Sequence, residues 1–388
     1  MAALNVPRLA GGLHHPQRVL HVSKPTTAGV PTVLLGYVRD QVERGWVVTV
    51  ACPPDGWLGD AVAKCGADVV EWAATRGPGP STPAEARRLG RLVASVAPDL
   101  VHLHSSKAGL AGRLAIRGRL PTIFQPHAWS FLAVESAVRM ATIRWERFAT
   151  RWTDALVLVS EAERQDGIDH GVTGAAWVVP NGVDVTELVP ADRADRARSR
   201  ARLGLPAEPI AVCVGRLCEQ KGQADLLDAW PQVRARLPRA HLAFVGDGPD
   251  RRSLEARARD LGSCVRFAGE SEEVAAWLAA ADVVVVPSRW EAMALVPLEA
   301  MARARSVVAS DVAGITECLP EDAGAVVRSG DVVGLGREIA ARLADSNVAD
   351  TEGRAGRRHV ETHHDRSVAA IAVASVYSTV LTRRARTR

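Results

Sequence analysis

Short apolar runs rich in β-branched residues alternate with longer helical patterns along almost the whole chain, and this alternation restricts the fold more than any other feature. The first half contains V-L-H-V-S, W-V-V-T-V, L-V-H-L-H, A-L-V-L-V-S and W-V-V-P. The second half contains A-V-C-V, H-L-A-F-V, V-R-F-A-G, V-V-V-V-P and S-V-V-A-S. Such alternation predicts βαβ units with right-handed crossovers and helices on both faces of a parallel sheet. The strands are too many for one sheet, so we expect an α/β fold of two doubly wound, Rossmann-like domains facing across a cleft.

Composition narrows the class of protein. The chain has 388 residues, of which 47% are hydrophobic and 24% are charged, as in ordinary globular proteins. Its net charge of +4 is too small to predict nucleic-acid binding. The six cysteines form no C-x-x-C pair and several lie in apolar runs, which favours buried free thiols in a reducing compartment. The N-terminus does not resemble a signal peptide and no apolar run is long enough to span a bilayer, so we expect a cytoplasmic protein.

The boundary between the two domains is predicted after V-V-P-N-G-V-D, where a charged segment, expected to be a solvated helix, follows. The C-terminal segment is apolar on one face, which predicts a helix ending in a loose basic tail, R-R-A-R-T-R. The expected organisation is a disordered extension over 1–16, an N-terminal domain over 17–184, a C-terminal domain over 185–365, and a C-terminal helix with its basic tail over 366–388 that packs back on the N-terminal domain.

In open parallel sheets the ligand lies beyond the carboxyl ends of the strands, so the loops that follow the strands are the candidate site. In the first half, Gly29 precedes a helix and would let the backbone approach an anion. Ser106 and Lys107, in S-S-K-A-G, suit an anionic or sugar ligand, although a helix cap with a solvated lysine explains them equally well. H-A-W-S-F follows the strand P-T-I-F-Q-P and offers His127 as a hydrogen-bonding group and Trp129 as a surface for a sugar.

The second half offers charged groups in two such loops. Arg216 and Lys221 lie in G-R-L-C-E-Q-K-G, and Lys221 is one of only four lysines. An arginine fork and a lysine point charge in one loop suit a diphosphate. Two carboxylates follow the valine run, and Pro297 separates them because proline fits the first turn of a helix and not its interior. Glu291 is therefore expected in the loop and Glu299 as the third residue of the helix, with backbone N–H groups between them available to a phosphate or a hydroxyl.

Taken together, these motifs resemble family 4 of the glycosyltransferases, the retaining, nucleotide-sugar-dependent enzymes of GT-B fold. The resemblance extends from about residue 18 to residue 317 and keeps the order of the family motifs. The matching motifs are A-G-V-P, H-S-S-K-A-G, the H-A of His127, V-P-N-G-V-D, V-G-R-L-C-E-Q-K-G, V-G-D-G-P, E-x7-E and S-D-V-A-G-I-T-E.

The resemblance implies a role for each matching residue. It assigns the donor diphosphate to Arg216 and Lys221, the nucleotide ribose to Glu299, and the transferred sugar or reacting centre to His127 and Glu291. It also implies acceptor binding by the N-terminal domain and nucleotide-sugar binding by the C-terminal domain. The predicted donor-binding set is completed by Gly29, Met293, Ala294 and Leu295, and the candidate sugar contacts are Ser106, Lys107 and Trp129. No cofactor and no metal are expected, because the reaction of the family needs neither and no D-x-D sequence is placed to hold a metal.

The chain departs from the family where the loop after the valine run usually reads E-G-F-G-L and here reads E-A-M-A-L. If that loop required positive φ, Ala292 and Ala294 would be strained, which bears on sugar specificity. Two glycine pairs are also replaced, by Ala28-Gly29 in the first loop and by Ala313-Gly314 after S-D-V.

The predicted function is transfer of a hexose-type sugar from a nucleoside diphosphate to a lipid-linked or saccharide intermediate of cell-surface polysaccharide synthesis. A small-molecule acceptor of secondary metabolism, such as an antibiotic aglycone, is an alternative, as are a nucleotide-sugar 2-epimerase and a catalytically silent partner protein. No nucleic-acid partner is expected. A basic, tryptophan-bearing helix between Phe131 and Trp152 suggests peripheral contact with the inner face of the cell membrane, the alternative being an ordinary helix that covers the sheet.

Overall fold

The structure is a computed structural model that describes residues 17–75 and 77–386. The extension predicted over 1–16 and the last two residues of the basic tail lie outside the described residues.

The described residues form thirteen strands, all of which pair in parallel. They are β1 (Arg18–Ser23), β2 (Val47–Cys52), β3 (Asp68–Glu71), β4 (Leu100–His104), β5 (Thr122–Gln125), β6 (Ala155–Leu158), β7 (Ala176–Val178), β8 (Ile210–Val214), β9 (His241–Val245), β10 (Val265–Gly269), β11 (Val283–Val286), β12 (Ser306–Asp311) and β13 (Gly324–Arg328).

The α-helices lie between these strands, and short 3-10 turns flank several of them. The helices are α1 (Gly29–Glu43), α2 (Leu58–Lys64), α3 (Thr82–Val96), α4 (Ser105–Ile116), α5 (Ser136–Ala149), α6 (Glu161–Asp169), α7 (Arg193–Leu203), α8 (Gln223–Arg236), α9 (Arg251–Arg257), α10 (Val274–Ala280), α11 (Leu295–Ala302), α12 (Ala313–Thr316), α13 (Val332–Ala344), α14 (Ser346–His363) and α15 (Arg366–Arg386). The 3-10 turns are Ser130–Leu132, Thr150–Trp152, Glu219–Lys221, Arg259–Cys264 and Glu321–Ala323.

The chain divides into two compact units, each built on one sheet. The first unit takes in the described residues up to Asn181 and those from Arg366 onward, and its seven strands have the order β3-β2-β1-β4-β5-β6-β7. The second unit runs from Gly182 to Asp365, and its six strands have the order β10-β9-β8-β11-β12-β13. Both orders are those of doubly wound, Rossmann-like sheets, which confirms the predicted fold class.

Burial on both faces explains why the central strands are continuous apolar runs. The four valines of β11 are at most 5% exposed, and β4 is buried along its whole length. In the first unit one core cluster packs α3 and α4 on one face of the sheet and another packs α1 and α2 on the opposite face. The strands missed by the sequence, β3 and β13, lie at sheet edges and have several exposed residues, so they lack the continuous apolar pattern.

Three local expectations are corrected by the structure. Helix α11 begins at Leu295, so Glu299 is its fifth residue and not its third, while Pro297 lies in the first turn as expected. Ala292 and Ala294 do not have positive φ, so replacing the glycines of the family causes no left-handed strain there. The basic tail is helical as far as Arg386, because α15 continues through it.

The structure also shows the state of the cysteines and of the charged segment, and whether a described helix could cross a membrane. The six cysteines are free thiols, four of them buried, and Cys65 and Cys218 are partly exposed. The charged segment is the helix α7, as predicted, but Arg200 on it is buried and pairs with Asp282. No helix in the described part of the chain has both the length and the apolarity needed to cross a bilayer.

Candidate functional site

The second unit places two charged loops side by side. Strand β8 lies between β9 and β11 and pairs with both. The chain leaves β8 toward β9 on one side and leaves β11 toward β12 on the other side. The carboxyl ends of β8 and β11 therefore form a topological switch point, where doubly wound sheets bind ligands.

A lysine and a glutamate connect the two loops across this switch point. Lys221, in the 3-10 turn after β8, forms an ion pair with the Oε1 atom of Glu291, in the loop after β11. The hydroxyl of Ser288 donates to the same oxygen at 2.8 Å. The Glu291 side chain is only 8% exposed and that of Lys221 is 23% exposed, so the pair is largely desolvated. The structure thus brings together two of the residues predicted from the sequence.

Glycines let the loops approach one another this closely. Gly222 has φ 64°, and a Cβ atom there would lie 1.9 Å from the carbonyl oxygen of Pro287. A Cβ atom on Gly314 would lie 2.1 Å from the carbonyl oxygen of Ala292. Any larger residue at either position would push the loop after β11 away from its neighbours. The loop that carries Glu291 is therefore held from both sides by backbone contacts.

Arg216 supplies a second cation beside the pair. Its side chain is exposed, and in the described part of the chain its guanidinium has no hydrogen-bond or ion-pair partner, while its carbonyl oxygen accepts from Gln223 at 2.9 Å. A planar guanidinium in this position is available for an anionic ligand.

Helix α11 contributes its first turn and a carboxyl group. Met293, Ala294 and Leu295 are at most 9% exposed, and within the described residues no side chain caps the helix at Ala294. Glu299 lies further along the helix; part of the residue is exposed, but its carboxyl group is surrounded by protein. Burial raises the pKa of Glu299 to about 7, so at neutral pH its carboxyl group is close to half protonated.

The loops of the first unit share an unusual backbone conformation. Non-glycine residues with positive φ follow three strands: Ala28 (68°) follows β1, Ser105 (68°) follows β4, and His127 (55°) with Ala128 (103°) follows β5. Ala28, with ψ −153°, lies in a region that is populated almost only by glycine. Such strain costs of order 1–3 kcal/mol per residue and clusters at functional sites. Beside these positions Gly29 and Ser106 are exposed, as a ligand contact requires.

Two predicted ligand contacts of the first unit lie in its interior. The Lys107 ammonium is buried, forms an ion pair with Glu85 at 2.6 Å and donates to the carbonyl oxygen of Gly77 at 2.8 Å. It is neither the solvated cap nor the ligand-facing lysine that the sequence suggested. Trp129 is 1% exposed, and its indole N–H donates to the carbonyl oxygen of Glu163 at 2.7 Å. The predicted stacking of Trp129 on a sugar is therefore wrong, because both faces of the ring are in the core.

His127, in contrast, is partly exposed and belongs to a cluster that the sequence analysis did not single out. Its Nε2 atom lies 3.1 Å from Nδ1 of His104, which in turn contacts His21. Burial lowers the pKa of His21 to about 4, and burial also lowers the pKa values of His102, His104 and His127. The signal was present as histidines within apolar strands, V-L-H-V-S and L-V-H-L-H, the latter with both imidazoles on one face. Nitrogen atoms of His21, His102 and His104 all lie within 4.8 Å of one another, a spacing that a metal ion would also accept.

Comparison with known proteins assigns the family. A profile described as Glycosyltransferase Family 4 matches residues 27–187, and one described as Glycosyl transferases group 1 matches residues 208–345. A GDP-mannose-dependent alpha-(1-6)-phosphatidylinositol monomannoside mannosyltransferase of Mycobacterium tuberculosis is 31% identical over 372 residues, which cover 88% of this chain and 93% of that protein. Sulfoquinovosyl transferase SQD2 of Arabidopsis thaliana is 29% identical over 70% of this chain, and the match spans only 56% of that protein.

Solved structures agree on the fold. The crystal structure of Anabaena HepE in complex with UDP and glucose superimposes with a TM-score of 0.83 at 21% identity, covering 93% of this chain and 99% of that one. From the two profiles and the mannosyltransferase that matches along nearly its whole length, we conclude that the chain belongs to glycosyltransferase family 4 and has two Rossmann-like domains of GT-B type.

Proposed function

We propose that this protein is a retaining glycosyltransferase that moves a hexose from a nucleoside diphosphate to a lipid-linked or saccharide acceptor. The observation that carries the proposal is the Lys221–Glu291 pair across the switch point of the second unit, with the exposed guanidinium of Arg216 in the same loop as Lys221. Two cations suit a diphosphate, and a desolvated carboxylate suits the hydroxyl groups of a sugar. The Mycobacterium tuberculosis relative is GDP-mannose-dependent, so GDP-mannose is the first donor to test. HepE was solved in complex with UDP-glucose, so UDP-glucose is the second.

The proposed chemistry is substitution on one face of the donor sugar. The oxygen of the acceptor hydroxyl forms a bond to the anomeric carbon while the bond from that carbon to the diphosphate oxygen breaks, and the acceptor proton passes to the departing phosphate. Arg216 and Lys221 stabilise the charge that develops on the diphosphate, and Glu291 orients the sugar through its hydroxyl groups. Because these side chains supply the positive charge, we propose that no metal is needed, and EDTA should leave turnover unchanged.

A screen of donors followed by a transfer assay tests the function. Unfolding temperatures are measured with GDP-, UDP-, TDP- and ADP-sugars, since a ligand that binds the folded state stabilises it. Transfer of the selected sugar to a lipid-linked acceptor is then followed by NMR, which shows whether the anomeric configuration is kept. Stabilisation by one class of donor and a product of retained configuration are expected. Failure of every donor to bind contradicts the proposal, and isomerisation of the donor without an acceptor identifies an epimerase instead.

The affinity for the donor is expected to depend on pH through Glu299. A ribose hydroxyl donates to a carboxylate better than to a protonated carboxyl group, and burial raises the pKa of Glu299 to about 7. Between pH 6 and pH 8 the ionised fraction rises about tenfold, so the affinity for the nucleotide sugar should rise by about the same factor. Calorimetric titration over this range measures it. Glu299→Gln should bind the nucleotide sugar weakly and with an affinity that does not change with pH. If the affinity of this variant still rises with pH, another group causes the rise.

Peripheral membrane contact is the second part of the proposal, and it rests on α5. This helix and the 3-10 turns on either side of it expose apolar side chains and arginines: Leu132, Val138, Met140, Phe148, Arg139, Arg144, Arg147 and Arg151. Such a surface binds anionic lipid through apolar area and positive charge together. Sedimentation with phosphatidylglycerol vesicles should show binding that falls several-fold in Val138→Asp with Met140→Asp. Val333→Asp, at an equally exposed valine of the second unit, is the control, and equal losses in both variants would argue against a specific face.

A further inference from the structure

A continuous path of hydrogen bonds runs through the first unit from α1 to the loop after β5. The Oε1 atom of Gln41 lies 2.9 Å from Nε2 of His21, and Nδ1 of His21 lies 2.9 Å from Nε2 of His104. Nδ1 of His104 lies 3.1 Å from Nε2 of His127. Gln41, His21 and His104 are at most 1% exposed, so water does not compete for these bonds.

Gln41 sets the direction of the path, and Tyr377 on α15 lies beside it. The hydroxyl oxygen of Tyr377 lies 2.5 Å from Nδ1 of His102, so the two groups are hydrogen-bonded. The same hydroxyl interacts with the amide group of Gln41, which lowers the pKa of Tyr377 against the larger effect of burial. With its NH2 group directed to Tyr377, Gln41 presents its oxygen to His21, and an amide oxygen only accepts.

The position of the N–H hydrogen on each imidazole of the path is set by the hydrogen bond that precedes it. A neutral imidazole has one donor nitrogen and one acceptor nitrogen. His21 must donate from Nε2 to Gln41, so its Nδ1 accepts from Nε2–H of His104. Nδ1 of His104 then accepts from Nε2–H of His127. Burial lowers the pKa values of all three imidazoles, which keeps them neutral at pH 7.

We propose that Tyr377, Gln41, His21 and His104 are positioning residues that hold His127 as the tautomer with its hydrogen on Nε2, and thereby present Nδ1 as an acceptor to a hydroxyl group of the sugar substrate. The inference rests on the proposed function in one respect, the contact between His127 and the sugar. In the described part of the chain Nδ1 of His127 has no protein partner, whereas Nε2 is held. The tautomer decides what the site recognises, because Nδ1 with a lone pair binds a hydroxyl donor and Nδ1–H would repel one.

The backbone supports the same orientation. His127 and Ala128 both have positive φ, and the N–H of Ala128 donates to Oε1 of Glu163 at 2.6 Å. The other oxygen of Glu163 accepts from the N–H of Val159 at 2.7 Å, which ties the loop to the end of β6. The buried carboxylate of Glu163 fixes this costly backbone conformation and so restricts the orientations available to the imidazole of His127. The hydrogen bond to His104 selects one of these orientations.

NMR of the free protein tests the tautomer without any assay of activity. With 15N-labelled histidine, long-range proton–nitrogen correlations separate the two neutral tautomers and the imidazolium, and His127→Gln assigns the signals. The expected result is the Nε2–H tautomer for His127, His104 and His21 at pH 7. The Nδ1–H form or an imidazolium at His127 would overturn the proposal. So would stoichiometric binding of Zn²⁺ by the cluster, because a metal between His21 and His104 would replace their hydrogen bond.

Kinetics of three variants test the positioning role. His104→Leu removes the acceptor for His127, so kcat should fall about tenfold or more while the KM for the donor changes less than twofold. His104→Asn keeps an acceptor oxygen near the position of Nδ1 and should recover most of the loss. His102→Asn is the matched control, since His102 is equally buried on the same strand but lies outside the path, and asparagine can still form a hydrogen bond with Tyr377.

The outcomes separate the two proposals. Equal losses in His104→Leu and His102→Asn, or a change only in KM, would reduce the path to a structural role. If the wild-type protein transfers no sugar, the proposed function is wrong. The tautomer of His127 is still tested independently by the NMR spectrum. If His104→Leu does not fold, His104→Asn and the wild-type spectrum still decide the matter.

Discussion

Replacement of Lys221 by alanine should weaken the binding of the nucleotide sugar by about a hundredfold. The change removes a cation from the diphosphate site and also leaves the carboxylate of Glu291, 8% exposed, with Ser288 as its remaining partner. Truncating one partner of a buried charge pair across a binding interface, here the pair of Lys221 with the diphosphate, costs about 2–5 kcal/mol, and a hundredfold change in affinity corresponds to about 2.7 kcal/mol. The unpaired carboxylate would in addition repel the diphosphate. Calorimetric titration of the purified variant with the donor selected in the screen measures the effect.

The double variant separates the two contributions. If repulsion by Glu291 is part of the loss, then Lys221→Ala combined with Glu291→Gln should bind the donor more tightly than Lys221→Ala alone, because the stranded charge is gone. Glu291→Gln alone should retain most of the affinity and lose turnover, since its proposed contact is with the reacting sugar. Lys64→Ala, at an exposed lysine of the first unit, is the control. Unchanged affinity in Lys221→Ala would remove the diphosphate role, and unchanged turnover in Glu291→Gln would remove the sugar role.

The fold could be predicted because its central strands are buried on both faces. Every apolar run singled out in the sequence is a strand, and the edge strands β3 and β13 were missed because partial exposure breaks their pattern. Local backbone geometry was harder to predict. The strain expected at Ala292 and Ala294 is absent, whereas Ala28 has the conformation usually reserved for glycine. Which residue of a loop takes positive φ depends on the direction in which the strand leaves the sheet, and one sequence does not show it.

The sequence predicted the site residues that are charged and lie in loops after apolar strands. It did not predict which residues of such loops are buried. Arg216, Lys221 and Glu291 were found because charged residues in loops after apolar strands are conspicuous, and the structure pairs two of them. Lys107 and Trp129 follow strands in the same way, yet both are buried against other parts of the first unit. Their partners, Glu85 and Glu163, are distant in sequence, and nothing in the local pattern indicates those contacts.

Acid should destabilise the first unit through its buried imidazoles. The pKa of His21 is about 4 in the folded state and 6.5 when exposed, so between these values the unfolded state binds more protons and the stability falls as the pH falls. From pH 7 to pH 4 this costs about 3 kcal/mol for His21 alone, and the lowered pKa values of His102 and His104 act in the same direction. The groups that face His21 are Gln41 from α1, Tyr377 from α15, and His102 and His104 from β4, which are hydrogen-bonding groups and not carboxylates.

Hydrogen exchange of β1 and β4 amides between pH 7 and pH 4, corrected for the intrinsic pH dependence of exchange, measures the stability of this unit separately. His21→Gln should flatten the profile, and His363→Gln, at an exposed histidine of the second unit, should leave it unchanged. Glu85 contributes to acid destabilisation at a lower pH than the imidazoles do. Hydrogen bonds from Lys107 and its neighbours outweigh burial and lower the pKa of Glu85 to about 2, so its contribution to stability is lost only below pH 4.5.

Glu299, in the second unit, contributes to stability with the opposite sign. Burial raises the pKa of Glu299 to about 7 from 4.5, so in this unit the folded state binds the additional proton, and the Glu299 contribution to stability is present below pH 4.5 and is lost as the pH rises through 7. Burial and neighbouring histidines lower the pKa of His359, also in the second unit, to about 4, and this effect opposes that of Glu299. In the first unit the buried imidazoles of His21, His102 and His104 all act in one direction, so acidification should open β1 and β4 before β8 and β11. Simultaneous opening of both units, or a first unit as stable at pH 4 as at pH 7, would show that the imidazoles gain protons without leaving the core.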